Sequence, residues 1–242
     1  VSKREKSIVA HHEAGHAVAG WFLRHADPLL KVSIVPRGQA ALGFAQYLPE
    51  DRFLQSREQM SDFMVMALGG RVAEQLVFKS ITTGAQDDLG RITRAAYAAV
   101  SQYGMSDRVG TIFFPRDTGE SFYKPYSEET AELIDVEARK IVDEAYERCE
   151  NLLTEHMDKV KALAQRLLEK EVVHEADLVE ILGPRPYKKL VQYDEVVDRF
   201  EKDREKRTGK AAREKKEKAA SEAQHIPQQP VPPKEDVIPE LC

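Results

Sequence analysis

His12 and His16 stand four positions apart in the run His12-Glu13-Ala14-Gly15-His16. On a helix, residues i and i+4 lie one above the other, so both imidazoles can face one ion. Neutral imidazole nitrogen suits zinc, and two ligands one turn apart fit two corners of a tetrahedral site. Glu13 follows the first histidine but is rotated about 100° around the axis, so it reaches water at the metal rather than the metal itself. Two ligands, one carboxylate base and an open position are what metal-assisted peptide hydrolysis requires. The flanks point the same way. A chance match on a solvated face would be surrounded by Lys and Glu, whereas Ala10, Ala14, Ala17, Val18, Ala19, Trp21 and Phe22 predict burial. Gly15 weakens a helix by about 1 kcal/mol relative to Ala, which predicts another backbone or a substrate close by.

Two histidines do not complete a catalytic zinc site, so a third protein ligand is needed. A continuation of the motif with Gly and His further along the helix is absent, since those places hold Ala19 and Phe22. No Glu occurs between Glu13 and Glu50. The ligand must come from another element. Asp87 and Asp88 are candidates, because a polar turn, Thr82-Thr83-Gly84-Ala85, feeds a helix start there and carboxylates are favoured at that end. Simple helix capping is, by composition alone, the commoner reason for acidic residues at such a place, and spacing does not choose between Asp87 and Asp88. His11 points away from His12, while His25, His156, His174 and His225 have no partner at ligand spacing.

The elements that must position these groups read as follows. Ser2-Lys3-Arg4-Glu5 is a capping box opening the motif helix, whose body spans about Ser7 to His25 before Asp27-Pro28 stops it. Lys31–Pro36 and Ala41–Leu48 predict two strands forming a hairpin or small sheet beside that helix. Pro36 and Pro49 favour a sheet edge, so an extended substrate is expected along Val32–Pro36. Ser56-Arg57-Glu58-Gln59 opens a helix to about Leu68, with Gly69-Gly70 expected to interrupt it before a further segment, Arg71–Phe78. A helix should run from Gln86 to about Gln102 and stop at Gly104, and Thr111–Phe114 suggests a short strand. From Ser127, Leu133, Ile134, Ala138, Ile141, Val142 and Ala145 begin one apolar stripe, and Val160, Leu163, Ala164 and Leu167 a second. A short helix, His174–Leu182, ends at Gly183-Pro184-Arg185-Pro186, the best boundary in the chain. The expected fold is therefore mainly α with a small hairpin or sheet beside the motif helix. Residues 1–186 form the domain, and 187–242 a charged, then Pro-rich tail too poor in apolar residues to bury a core, read as disordered.

With 242 residues and a net charge of −5 of mixed sign, the chain has no nucleic-acid footprint. Cys149 and Cys242 make no disulfide framework. No apolar run nears the ~20 residues of a membrane span. The chain starts inside a helix entry and reads as a piece of a longer protein.

His-Glu-Ala-Gly-His, Lys31-Val-Ser-Ile-Val-Pro-Arg37, Leu68-Gly-Gly-Arg-Val-Ala-Glu74 and Thr82-Thr-Gly-Ala-Gln-Asp-Asp-Leu89, in this order, resemble the peptidase domain of the FtsH family of ATP-dependent, membrane-bound zinc proteases. Ala26-Asp-Pro-Leu-Leu-Lys-Val-Ser-Ile34 and Leu182-Gly-Pro-Arg-Pro186 are similar to the mitochondrial m-AAA, paraplegin-like branch. The resemblance covers about residues 1–186. It implies one zinc per chain held by His12, His16 and Asp88, with Asp87 only a neighbour, and Glu13 as catalytic base. It also implies a supporting role for Glu74 near the metal helix, although Gln75 stands where the family usually has a second glutamate. Further implied are unfolded polypeptide substrates, homo- or hetero-hexamers formed through the helical region, and a matrix-facing place at the mitochondrial inner membrane. Membrane contact and ATP use would belong to segments that precede the peptidase domain in the family, since no G-x-x-x-x-G-K-[ST] loop occurs here. The alternative is a non-catalytic, ring-forming scaffold subunit. The retained Glu13 argues against it, because such subunits usually lose the base.

Overall fold

Ser2 caps the first helix, α1 (Lys3–Phe22), through the expected reciprocal pair: its hydroxyl accepts from the Glu5 N–H, and the Glu5 carboxylate accepts from the Ser2 N–H at 2.7 Å. The computed structural model describes residues 2–36, 42–48, 53–115 and 125–187. Its elements continue as β1 (Leu29–Ser33), β2 (Phe44–Tyr47), α2 (Arg57–Phe78), a 3-10 turn (Thr83–Ala85), α3 (Gln86–Ser101), α4 (Glu128–Glu155), α5 (Met157–Lys170), β3 (Val172–His174) and α6 (Glu175–Leu182). The fold is mainly α with one small antiparallel sheet, as the sequence predicts. No helix among the described residues is long and apolar enough to cross a membrane. The predicted tail lies outside the described residues apart from Tyr187.

The motif helix is the centre of the core. Ala10, Ala14, Ala17, Val18 and Ala19 are fully buried, and α2 and α5 pack along it with Val65, Leu68, Val72, Val160, Leu163 and Leu167. It ends at Phe22, a turn earlier than expected. Leu23 is extended, and the His25 N–H is donated to the buried Asp62 carboxylate at 2.9 Å instead of continuing the helix. The Gly183-Pro-Arg stretch folds back onto this end: Trp21 Nε1–H donates to the Gly183 carbonyl at 3.1 Å, and Arg185 donates to the carbonyls of Leu23 and Ala26.

Gly69-Gly70 does not interrupt α2, which runs unbroken from its Ser56/Gln59 capping box to Phe78. The glycines serve close packing instead. A β-carbon on Gly69 would lie 2.6 Å from the Gly15 carbonyl oxygen, and one on Gly15 would collide with the Gly69 carbonyl. The two helices therefore cross backbone to backbone, which Gly15 in the motif led one to expect of some neighbour.

Two strand expectations are corrected. β1 is the central strand, in the order β2-β1-β3, because Val172–His174 pairs with Lys31–Ser33 and Glu171 accepts from the Ile34 N–H at 2.9 Å. No peptide can add along Lys31–Ser33, which is paired on both sides, and among the described residues the edge strands of the sheet are β2 and β3. Thr111–Phe114 is not a strand. It follows Gly110 at φ 86° and is tied by the Phe114 N–H to the Ser101 carbonyl at 2.7 Å, with no strand beside it among the described residues.

Candidate metal centre

His12 and His16 project from α1 toward the start of α3, and their Nε2 atoms are 3.0 Å apart. Asp88, the third residue of α3, brings its Oδ2 to 3.5 Å from His12 Nε2 and 3.3 Å from His16 Nε2. A tetrahedral zinc with bonds of about 2.0–2.1 Å has ligand atoms separated by roughly 3.3 Å, so this triangle has the size that such an ion requires. Among the described residues it is the single group of three or more ligand side chains close enough to share a metal. Asp87 is exposed and outside the triangle, and His11 is turned away, its Nδ1 on the Ser7 carbonyl at 2.8 Å. His225 lies outside the described residues.

The other nitrogen of each imidazole is occupied. His12 Nδ1 meets Glu74 Oε1 at 2.7 Å, and His16 Nδ1 donates to the Met66 carbonyl at 2.9 Å. With Nδ1–H donated to a fixed acceptor, the lone pair of each ring sits on Nε2, facing the shared point. Glu74 is 1 % exposed, and also receives the Thr82 N–H at 2.7 Å and the Thr82 hydroxyl at 3.2 Å. Gly70, one turn before Glu74, leaves the room that the His12 ring fills; a β-carbon there would overlap it. Sequence reading saw Glu74 only by resemblance and missed Met66 and Thr82. The Met66 carbonyl is backbone and leaves no side-chain signature, and the Thr82 hydroxyl reads in the sequence only as part of a polar turn.

The electrostatics of the cluster follow from burial and charge. Burial pulls the His12 pKa down, but hydrogen bonds donated to the Asp88 and Glu74 carboxylates outweigh it and raise it to about 9. Asp88 moves the opposite way: burial raises its pKa, while the two imidazoles hold it well below the usual carboxylate range. Glu13, 8 % exposed, has its pKa pushed up by burial, partly offset by the two histidines. It lies against β2, where a β-carbon on Gly43 would come within 2.6 Å of its Oε1. Tyr47, at the far end of β2, donates to the His16 carbonyl at 3.4 Å, so the open-edged strand is held over the metal helix at both ends.

These residues fit zinc: two imidazoles with preset tautomers and one carboxylate leave a coordination position for water and substrate. Comparison with known proteins agrees with that donor chemistry. Residues 1–181 match the model of peptidase family M41. The ATP-dependent zinc metalloprotease FtsH of Rhodothermus marinus is 63% identical over 191 residues, 77% of this chain and 27% of the relative. The mouse mitochondrial inner membrane m-AAA protease component AFG3L1 is 57% identical over 196 residues, 80% of this chain and 25% of the relative. The component yta12 of Schizosaccharomyces pombe is 58% identical over 189 residues, 77% of this chain and 24% of the relative. The chain thus spans about a quarter of the length of these curated relatives. With a family match over three quarters of its length, the chain belongs to peptidase family M41, the zinc metalloproteases of the FtsH and m-AAA type.

Proposed function

We propose that these residues form the endopeptidase part of a membrane-anchored, ATP-dependent AAA protease that degrades unfolded or damaged proteins and processes some precursors. The observation that carries this reading is the convergence of His12, His16 and Asp88 within ligand distance of one another, next to the buried carboxylate of Glu13. His12, His16 and Asp88 would hold the zinc. Bound there, zinc supplies Lewis acidity that acidifies a water and polarises the scissile carbonyl. Glu13 takes the proton of that water on its carboxylate and passes it to the leaving nitrogen. Glu74 and the Met66 carbonyl keep the two imidazoles in the tautomer that binds metal.

The substrate is an extended polypeptide lying along the open edge of β2, Phe44–Tyr47. Main-chain hydrogen bonds to a strand edge give loose sequence preference, as the disposal of unfolded proteins demands. The contact of Gly43 with Glu13 supports this placement, because a chain paired to β2 would pass the base. The names of the mouse and fission-yeast relatives, components of a mitochondrial inner membrane m-AAA protease, support a place in a multi-component assembly at that membrane; the homo- or hetero-hexameric, matrix-facing form of it is what the family resemblance implies. ATP would be used by a module outside these residues.

The test is Glu13→Gln, assayed on a short unstructured fluorogenic peptide. The wild-type chain, loaded with zinc, should cleave it; the variant should bind zinc equally and leave it intact. Zinc-loaded wild type that does not cleave would favour the scaffold reading instead.

A further inference from the structure

We infer that Thr82 is a positioning residue for the metal centre, fixing through one hydroxyl both the Glu74 carboxylate that orients His12 and the turn that delivers Asp88. The inference rests on the reading of His12, His16 and Asp88 as the zinc ligands. Thr82 lies between α2 and α3, outside the ligand set, and makes three hydrogen bonds there. Its N–H donates to Glu74 Oε2 at 2.7 Å, and its hydroxyl donates to Glu74 Oε1 at 3.2 Å. The same hydroxyl oxygen accepts the Gly84 N–H at 3.2 Å, capping the 3-10 turn Thr83–Ala85.

The two tasks belong to opposite halves of the site. Glu74 Oε1, which the hydroxyl reaches, is the oxygen that also holds His12 Nδ1 at 2.7 Å. A second donor on that oxygen restricts rotation of the carboxylate and so fixes the direction of the His12 ring. On the other side, the 3-10 turn runs directly into α3 at Gln86, whose third residue is Asp88. No side chain caps α3, whose N-cap position is Ala85. The direction in which α3 starts is therefore set by the turn that Thr82 caps. His12, Glu74, Thr82, the turn and Asp88 form a closed ring of contacts, with the imidazole–carboxylate pair at 3.5 Å completing it. Without the hydroxyl, the Thr82 N–H remains as the tie to Glu74 Oε2, while the second donor on Oε1 and the cap of the turn are both lost.

Thr82→Val keeps the shape and the backbone N–H and removes the hydroxyl; Thr82→Ser keeps the hydroxyl. The readout is zinc affinity by chelator competition, together with the visible spectrum of the cobalt-substituted protein, which reports ligand geometry whether or not the chain cleaves peptides. Thr82→Val should weaken zinc binding about 10- to 100-fold and alter the cobalt spectrum, as loss of an outer hydrogen-bonding partner does. Thr82→Ser should return both to near wild type. In a Glu74→Gln background, Thr82→Val should lose the share of its effect that runs through Glu74 and keep the share that runs through the turn, so the two substitutions should not be additive. Equal zinc affinity of wild type and Thr82→Val overturns the inference, as does a defect that Thr82→Ser fails to rescue. Where Thr82→Val does not fold, Thr82→Ala, which also lacks the hydroxyl, takes its place: weakened zinc binding that Thr82→Ser restores supports the inference, and wild-type affinity overturns it. Wild-type chain that binds no zinc would sink the ligand reading itself, a separate and visible failure.

Discussion

His12 and His16 stand on a helix whose backbone touches a second helix, and Asp88 stands on a helix start joined to that pair by a turn. The histidine half is set by packing. Gly15 and Gly69 bring α1 and α2 into contact, Gly70 admits the His12 ring, and Glu74 and Met66 hold the imidazoles from behind. The aspartate half is looser. The Asp88 side chain is 20% exposed against 11% and 12% for the histidines, and among the described residues its carboxylate meets only those two rings. One half is built by the core. The other depends on a turn and on the charge it faces.

The largest expected effect breaks the weaker half. Asp88→Asn removes one of the three proposed ligands and the charge that would balance the cation. Zinc affinity should fall roughly 1,000-fold, about 4 kcal/mol, with little change in the helical circular dichroism signal. Asp87→Asn, one residue away and outside the triangle, should retain zinc. Metal analysis of both variants after dialysis decides; equal loss in both would show that the turn, and not the Asp88 carboxylate, is what matters.

Gly15→Ala attacks the stronger half, and its damage should appear as lost folding rather than lost affinity. The new methyl collides with the Gly69 carbonyl, a backbone atom that cannot step aside. Overpacking of this kind costs about 3 kcal/mol, which lowers Tm by roughly 6–12 °C in a domain of this size. A thermal melt unchanged by this substitution would mean that the α1–α2 crossing is not close.

A pH titration of the metal-stripped chain addresses the contact between the halves. The His12 pKa in the folded chain, about 9, lies above its ordinary 6.5 because Asp88 and Glu74 outweigh burial. A folded-state pKa raised in this way stabilises fully below pH 6.5, and that stability is lost as pH rises through 9. Up to ~3 kcal/mol is at stake, at about 1.4 kcal/mol per pKa unit. Zinc loading should run the other way and improve as pH rises, because the imidazole must give up its proton to bind. Denaturant melts at pH 6 and pH 9.5, with and without zinc, should therefore cross.

What could be read from the chain alone follows the same division between local and distant. Both capping boxes, Ser2/Glu5 and Ser56/Gln59, were legible because cap and N3 are three residues apart and their chemistry is self-contained. The antiparallel pairing of β1 with β2 was legible as two apolar runs around a turn. β3 was not: Val172 and Val173 sit between two helices with no period to mark them, and only their pairing with Val32 and Ser33 makes them a strand. Missing it turned the central strand into an edge and put the expected substrate on a strand already paired on both sides. Gly69-Gly70 looked like a break because helix propensity counts a glycine's cost and cannot see the neighbouring backbone that requires it. In the site, the His12–His16 pairing is written in a spacing of four. Asp88 lies 72 residues beyond His16, and no pattern in the spacing brings it there; the resemblance alone pointed to it over Asp87.

The smallest expected effect tests whether α3 lacks the close packing of the α1–α2 pair. Gly90 lies in the first turns of α3, and a β-carbon added there meets only the far end of the Arg94 side chain, at 3.3 Å. A guanidinium tip can swing away, whereas the Gly69 carbonyl cannot. Gly90→Ala therefore keeps the helical gain of alanine over glycine, about 0.5–1 kcal/mol. Tm should rise by roughly 1–4 °C. The same chemical change thus stabilises on α3 and destabilises on α1, and the sign is set by what stands opposite the new methyl. If both substitutions destabilised alike, α3 would be packed as tightly as the histidine helices, and Asp88 would be as firmly preset as His12 and His16.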